Sequence, residues 1–220
     1  MAAVEAAPVP SQGPRLRAGP APRPLSRRFS ARPSPVVARD LLGRLLVRDL
    51  DGHTLMARIV ECEAYQQDDP ASHSFAGRTA RNEVMFGPAG VLYVYFTYGM
   101  HFCMNVVTGR VGEGSAVLLR AAEPIEGLDA MAARRGGRDD APWLLCSGPA
   151  RLTEAFGVDR AMNGTSLSDA SGLYLAAGRA VPDERVRTGP RIGIRRAADV
   201  PWRFYEADSP FVSPGRRPRR

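Results

Sequence analysis

The chain has 220 residues, 44% of them hydrophobic and 24% charged, with a formal net charge of +7. That length suits one domain with a sizeable core, and no run of roughly 18 apolar residues exists to form a spanning helix. No apolar opening segment with a small-residue cleavage site is present, so a secreted protein is not expected.

The basic charge belongs to the ends. Residues 1 to 39 hold seven arginines against one acid, the last ten hold four arginines and no acid, and the stretch between is mildly acidic. Eight of the 19 prolines fall within the first 35 residues. Such a composition cannot bury enough apolar surface to offset its ordering entropy. Residues 1–34 therefore read as a disordered basic Pro/Ala/Arg-rich arm, 35–213 as the folded domain and 214–220 as a basic tail. Both ends suit sequence-independent phosphate contact, and a solvated tail is the plainer alternative.

Ser34-Pro35 predicts a helix start with a capping hydroxyl, followed by Val37, Leu41, Leu42 and Leu45 at helical spacing. Leu45 to Leu50 and Thr54 to Cys62 read as antiparallel strands around an Asp51-Gly52 hairpin turn. Val91 to Thr97, Phe102 to Val107 and Ala116 to Ala121 are further strands, with Tyr98-Gly99 as the turn between the first two. Gly127 to Arg135 and Pro149 to Phe156 read as helices, and Leu173 to Ala176, Arg191 to Ile194 and Phe204 to Tyr205 as late strands. The expected fold class is α+β: a single domain with a curved, mainly antiparallel β-sheet and peripheral helices.

Cys62, Cys103 and Cys146 are an odd number without a CxxC pair, and His53, His73 and His101 lack two-ligand helical spacing. Reduced, buried thiols and no metal centre are expected. The chain contains no lysine, so side-chain Schiff-base chemistry is excluded and only an N-terminal amine remains for it.

Unusual residues concentrate between Arg58 and Asn105. Glu61 and Glu63 share a strand face by parity, with Glu63 placed where the strand pattern stops and able to project. Tyr65, His73 and the same-face pair Tyr93 and Tyr95 supply aromatic planes near a carboxylate, which make a slot for a flat ring. Core packing and solvated glutamates are the plainer alternatives. By themselves these residues support only a planar-ligand site.

The segments Arg58-Ile-Val-Glu-Cys-Glu-Ala-Tyr65, His73-Ser, Arg81-Asn82, Met85-Phe86 and Tyr93-Val-Tyr95 follow one pattern. So do Tyr98-Gly-Met, Cys103-Met-Asn105, Val117-Leu-Leu-Arg120, Cys146-Ser-Gly-Pro149, Arg191-Ile-Gly-Ile194 and Phe204-Tyr205 to Ser209-Pro210. In order over about residues 36 to 213, the chain resembles the alkyladenine (3-methyladenine) DNA glycosylase family. The resemblance implies an enzyme that turns a damaged purine out of duplex DNA and hydrolyses its N-glycosidic bond. It makes 35–213 a DNA glycosylase domain.

Carried over by matched position, Tyr65 lies on one face of the extruded base and His73 with Tyr95 on the other. Asn105 crowds the amino group of normal guanine, and Tyr98 is the wedge that fills the vacated stack. Glu63 is the general base for a water also held by Arg120 and the Ile192 carbonyl. Met85 and Met100 fall in matched DNA-contact motifs, and Arg78, Arg81 and Arg151 are candidate phosphate contacts. No metal or organic cofactor is implied. The expected partner is double-stranded DNA containing damaged purines, with no membrane and a monomeric enzyme. Its expected place is the cytoplasm and nucleoid of a bacterium, or the nucleus of a eukaryote. A non-catalytic nucleic-acid-binding module is the rival reading. A glycoside hydrolase using Glu61 and Glu63 is a weaker one, because residues two apart on one strand do not flank a sugar.

Overall fold

A computed structural model describes residues 22–97, 99–137 and 141–214. The described residues build one open sheet of eight strands with short helices around it. The hairpin of β1 (Leu45–Leu50) and β2 (His53–Tyr65) starts it, turning through Asp51 and Gly52, both at positive φ (52° and 78°). This is the conformation that Asp-Gly favours in a two-residue hairpin loop. Antiparallel pairing then gives the order β3 (Leu92–Thr97), β4 (His101–Val107), β5 (Ala116–Glu126), β2, β1 and β6 (Leu173–Ala176). The far half of β2 exchanges β1 for β8 (Arg203–Glu206), which also pairs with β7 (Val186–Gly189).

Four α-helices pack around this sheet among the described residues: α1 (Arg27–Ser30), α2 (Ser34–Leu41), α3 (Leu128–Arg134) and α4 (Pro149–Ala155). Val37, Ala38 and Leu41 of α2 join Met131 of α3 and Leu152 and Ala155 of α4 in the main core against Leu46, Ile59, Leu119 and Phe156. A smaller cluster of Met85, Phe86, Val91, Tyr93, Val107 and Ala116 forms where the 3-10 turn Glu83–Phe86 closes on the sheet.

The sequence expectations need four corrections. Residues 22–34, read as part of a disordered arm, are ordered: Leu25 N–H donates to Leu175 O at 2.8 Å and Ala177 N–H to Arg23 O at 2.8 Å. Phe29 packs on the main core with the Arg32 guanidinium 4.7 Å from its ring centre. Contacts from distant parts of the chain supply what local composition lacks. Second, Ser34 makes no capping bond; it is buried in the first turn of α2, after Pro33. Third, residues 191–194 form no strand, because Pro190 removes a ladder donor and Gly193 takes φ +84°. Fourth, β2 runs on to Tyr65, so Glu63 sits inside a strand paired with Leu118 on one side and Arg203 on the other.

Candidate active site

A cavity of about 350 Å³ opens where the loop after β2, strands β3 to β5, the start of α4 and the 192–194 segment converge. That size is at the small end of ligand sites, about 300–1,000 Å³, and fits one small ring system better than a large ligand. Tyr65, His73, Tyr93 and Tyr95 supply its aromatic surfaces, and Met85, Leu118 and Ile192 are among its aliphatic ones. Strand parity brings Tyr93 and Tyr95 to the same face, with ring centres 5.7 Å apart. His73 meets Tyr95 edge-on at 4.6 Å, and its Nδ1 lies 3.0 Å from the Tyr93 hydroxyl. Asn82 holds the His73 loop by donating its side-chain amide to the carbonyls of His73 (2.7 Å) and Gly77 (3.0 Å). Asn105, buried on β4, lines the cavity and donates to the Tyr93 carbonyl at 3.1 Å.

A largely buried chain of charge runs from the cavity-lining Arg120 back into the sheet. Glu61 and Glu63 are each 0% exposed, and Arg120 from β5 bridges them, with Nε 3.3 Å from Glu61 and Nη1 3.3 Å from Glu63. Arg203 from β8 closes on Glu61 at 2.5 Å, and the backbone N–H of Ser213 donates to the same carboxylate at 2.8 Å. Two acids and two guanidiniums thus compensate one another in a place where an unpaired charge costs several kcal/mol, on the order of 3–5 for a broken pair. Burial lowers the Arg120 pKa, but the Glu63 and Glu61 charges outweigh it and the guanidinium ends above its ordinary value.

Glu63 has two further partners. Ile192 N–H donates to its Oε1 at 2.7 Å, and the Tyr65 hydroxyl donates to its Oε2 at 2.8 Å. Burial, then the Glu63 charge, pushes the Tyr65 hydroxyl well above its ordinary pKa, so the phenol stays protonated and remains a donor. Glu63 therefore does not project from a strand end as expected. It lies one layer behind the cavity, at the seam between Tyr65 and Ile192, which both line it. The irregular backbone at 191–194 brings Ile192 there, through its N–H.

The structure thus brings together Glu63, Arg120, Ile192, Tyr65, His73, Tyr95 and Asn105. Met85, expected at the DNA surface, is instead a buried part of the cavity wall, packed with Phe86 and Tyr93. Met100, in the β3–β4 turn, is 68% exposed, and Tyr98, the expected wedge, lies outside the described residues. Arg78 and Arg81 are exposed on the loop after His73, Arg78 stacking 5.0 Å over Phe86. Arg151 is in the first turn of α4, just past the cavity-lining Pro149. Cys62, Cys103 and Cys146 are free and buried.

Sequence reasoning missed Asp69, Arg203 and Ser213, whose partners are more than 90 residues away in the chain. Tyr93 carried a signal, its two-residue spacing from Tyr95. A glycoside hydrolase built on Glu61 and Glu63 finds no support, since both carboxylates point at the same guanidinium and neither faces open space.

Partial desolvation of the ring against Tyr93 and Tyr95, and secondarily the charge of Arg81, lowers the His73 pKa from 6.5 even though the residue keeps an exposed edge, so this ring presents a neutral face at neutral pH. The folded state then binds fewer protons at this site than the unfolded chain. Its contribution to stability is full above pH 6.5 and declines as the pH falls toward the lowered folded value. Imidazole proton NMR is expected to show a His73 resonance, identified by its loss in His73→Gln, that titrates below 6.5. A normal titration for that resonance would contradict the burial argument.

The profile of the methylpurine-DNA glycosylase family matches residues 28–210. A protein of Carboxydothermus hydrogenoformans is 49% identical over 189 residues, 86% of this chain and 98% of that protein. One from Streptomyces avermitilis is 51% identical over 210 residues, 92% and 98% of the two chains. One from Methanoculleus marisnigri is 51% identical over 188 residues, 84% and 96%. All three bear the name "Putative 3-methyladenine DNA glycosylase". With a profile match starting inside α1 and ending beyond β8, and half the residues shared with full-length relatives, the chain belongs to the methylpurine-DNA glycosylase family, the alkyladenine (3-methyladenine) DNA glycosylases that its sequence resembles.

Proposed function

We propose that the chain extrudes alkylated purines, and deaminated ones, from duplex DNA and hydrolyses the N-glycosidic bond with a water activated by Glu63, leaving an abasic site. The observation that carries this reading is the placement of a buried carboxylate one layer behind an aromatic cavity sized for a single base. The base stacks between Tyr65 and the His73–Tyr95 pair, where stacking contributes about 1–3 kcal/mol and tolerates many ring identities. A cationic alkylated purine gains a further cation–π attraction from these neutral rings. Asn105, fixed by the Tyr93 carbonyl, stands against the purine edge and disfavours a normal guanine.

For hydrolysis, the Tyr65 hydroxyl gives up Oε2 of Glu63 to the attacking water, which bonds to C1′ and passes one proton to the carboxylate while the C–N electron pair leaves with the base. A cationic purine departs neutral, and a neutral one takes up a proton from solvent. The charge on the sugar is oxocarbenium-like, and the Glu63 carboxylate exposed by the Tyr65 movement stabilises it. Arg120 holds Glu63 in orientation, with Nη1 3.3 Å from its carboxylate. The four arginines among residues 215–220, together with Arg78, Arg81 and Arg151, supply phosphate contacts that hold the duplex without reading its sequence.

The test is base release from methylated duplex DNA and from duplexes with one hypoxanthine or 1,N6-ethenoadenine. Free base and an intact abasic strand, cut only on alkali treatment, are the expected products. Strand scission without alkali would contradict a simple hydrolase lacking lysine, and no release from any substrate would overturn the reading.

A further inference from the structure

Tyr65 has a back as well as a front. Behind its ring lies the Arg191 guanidinium, 4.7 Å from the ring centre and 5.5 Å from that of Trp202. Arg191 and Asp69 are sealed from solvent, with side-chain exposures of 0% and 1%. They form a two-pronged pair, Nη2 donating to Oδ1 at 2.9 Å and Nη1 to Oδ2. The same guanidinium donates to the Ala64 carbonyl at 2.9 Å and the Ala197 carbonyl at 3.3 Å. One group therefore ties together the end of β2, the loop after it and the segment 191–197.

The ties to Ala64 and Asp69, and Arg191's own place in the chain, lie beside residues of the site. Ala64 stands between Glu63 and Tyr65, Asp69 accepts from the N–H of the cavity-lining Ala71 at 3.0 Å, and Ile192 follows Arg191 directly. Neither Arg191 nor Asp69 lines the cavity.

We propose that the Arg191–Asp69 pair is a positioning device for excision: it sets the plane of Tyr65 against the captured base and holds the Ile192 N–H on Glu63. Base capture and the hydrolytic carboxylate are thereby aligned by a single ion pair outside the cavity. The proposal rests on the reading of the cavity as a base slot. A planar fork is essential to it, because a lysine ammonium keeps the charge but neither stacks flat on a ring nor grips both carboxylate oxygens.

Arg191→Lys and the isosteric Asp69→Asn, made in the full chain, test it. Single-turnover excision of 1,N6-ethenoadenine, at increasing enzyme concentration, separates the maximal rate from the half-saturating concentration. Thermal denaturation and fluorescence of the ethenoadenine in the bound duplex accompany it. Each variant is expected to lose about 10- to 100-fold in maximal rate, the scale of a misplacement near 1 Å, and to need more enzyme for saturation. The ethenoadenine emission in the bound complex is expected to differ from wild type, because the ring it stacks on has tilted. The double variant is expected to lose no more than the worse single one, since the pair acts as a unit. Should Arg191→Lys fail to fold, Asp69→Asn carries the same readouts. Wild-type values in a folded variant, or losses that disappear when the assay is cooled in step with the fall in melting temperature, overturn the proposal. Failure of the wild type to release any base overturns instead the reading it rests on.

Discussion

Glu63→Gln is expected to slow base release by about 10²- to 10⁴-fold, the range that a positioned general base contributes. The substitution keeps the shape of the side chain and removes only the charge and basicity. Its amide oxygen still accepts from Ile192 N–H, its NH2 donates to the Tyr65 hydroxyl in a reversal of the native bond, and Arg120 keeps Glu61 at 3.3 Å. Stability is therefore expected to fall modestly and binding to a lesion-bearing duplex to persist. Single-turnover kinetics beside an anisotropy titration separate the two effects. A Gln variant as fast as wild type would mean that another group activates the water. Equal inactivity of both proteins, with retained binding, would favour the rival of a non-catalytic module with an aromatic base pocket.

The neighbouring acid should behave in the opposite way. Glu61→Ala removes the partner of Arg203 at 2.5 Å, of Ser213 N–H at 2.8 Å and of the Arg120 Nε at 3.3 Å. Two largely buried guanidiniums then lose a shared counter-charge, and the segment ending at Ser213 loses its anchor. Breaking one side of a buried pair costs about 3–5 kcal/mol. At roughly 2–4 °C per kcal/mol for a chain of this size, the melting temperature should fall by roughly 6–20 °C. Below that temperature, excision should be slowed far less than by Glu63→Gln. An unchanged melting temperature would show that Arg203 and Arg120 find other partners. Together the two variants distinguish a carboxylate that acts on substrate from one, two residues away, that holds the sheet together.

Much of the fold was legible because its signals are local. Asp51-Gly52 specifies its hairpin by the φ values it tolerates, and β1 and β6 follow from short apolar runs with the bounds expected. The aromatic slot was half legible: strand parity puts Tyr93 and Tyr95 on one face, but nothing local says that His73 packs beside them or that Tyr65 lines the same cavity. The ordered stretch 22–34 was misread because proline and arginine content describes what a segment does alone. Here Leu25 and Ala177 complete backbone pairings at the β6 edge, and Phe29 finds the core.

The sequence alone determined the α+β class, the hairpins, the absence of lysine chemistry and the residue types gathered around the site, since each depends on composition or on neighbours a few positions apart. Only the tertiary structure decided which of two look-alike glutamates sits behind the cavity and which is locked to Arg203. It alone sealed Glu63 behind Tyr65 and Ile192, and placed Arg191 at the back of the ring. Charge pairs of this kind join residues about 60 to 150 positions apart, and their energy exists only once folding has removed the water between them.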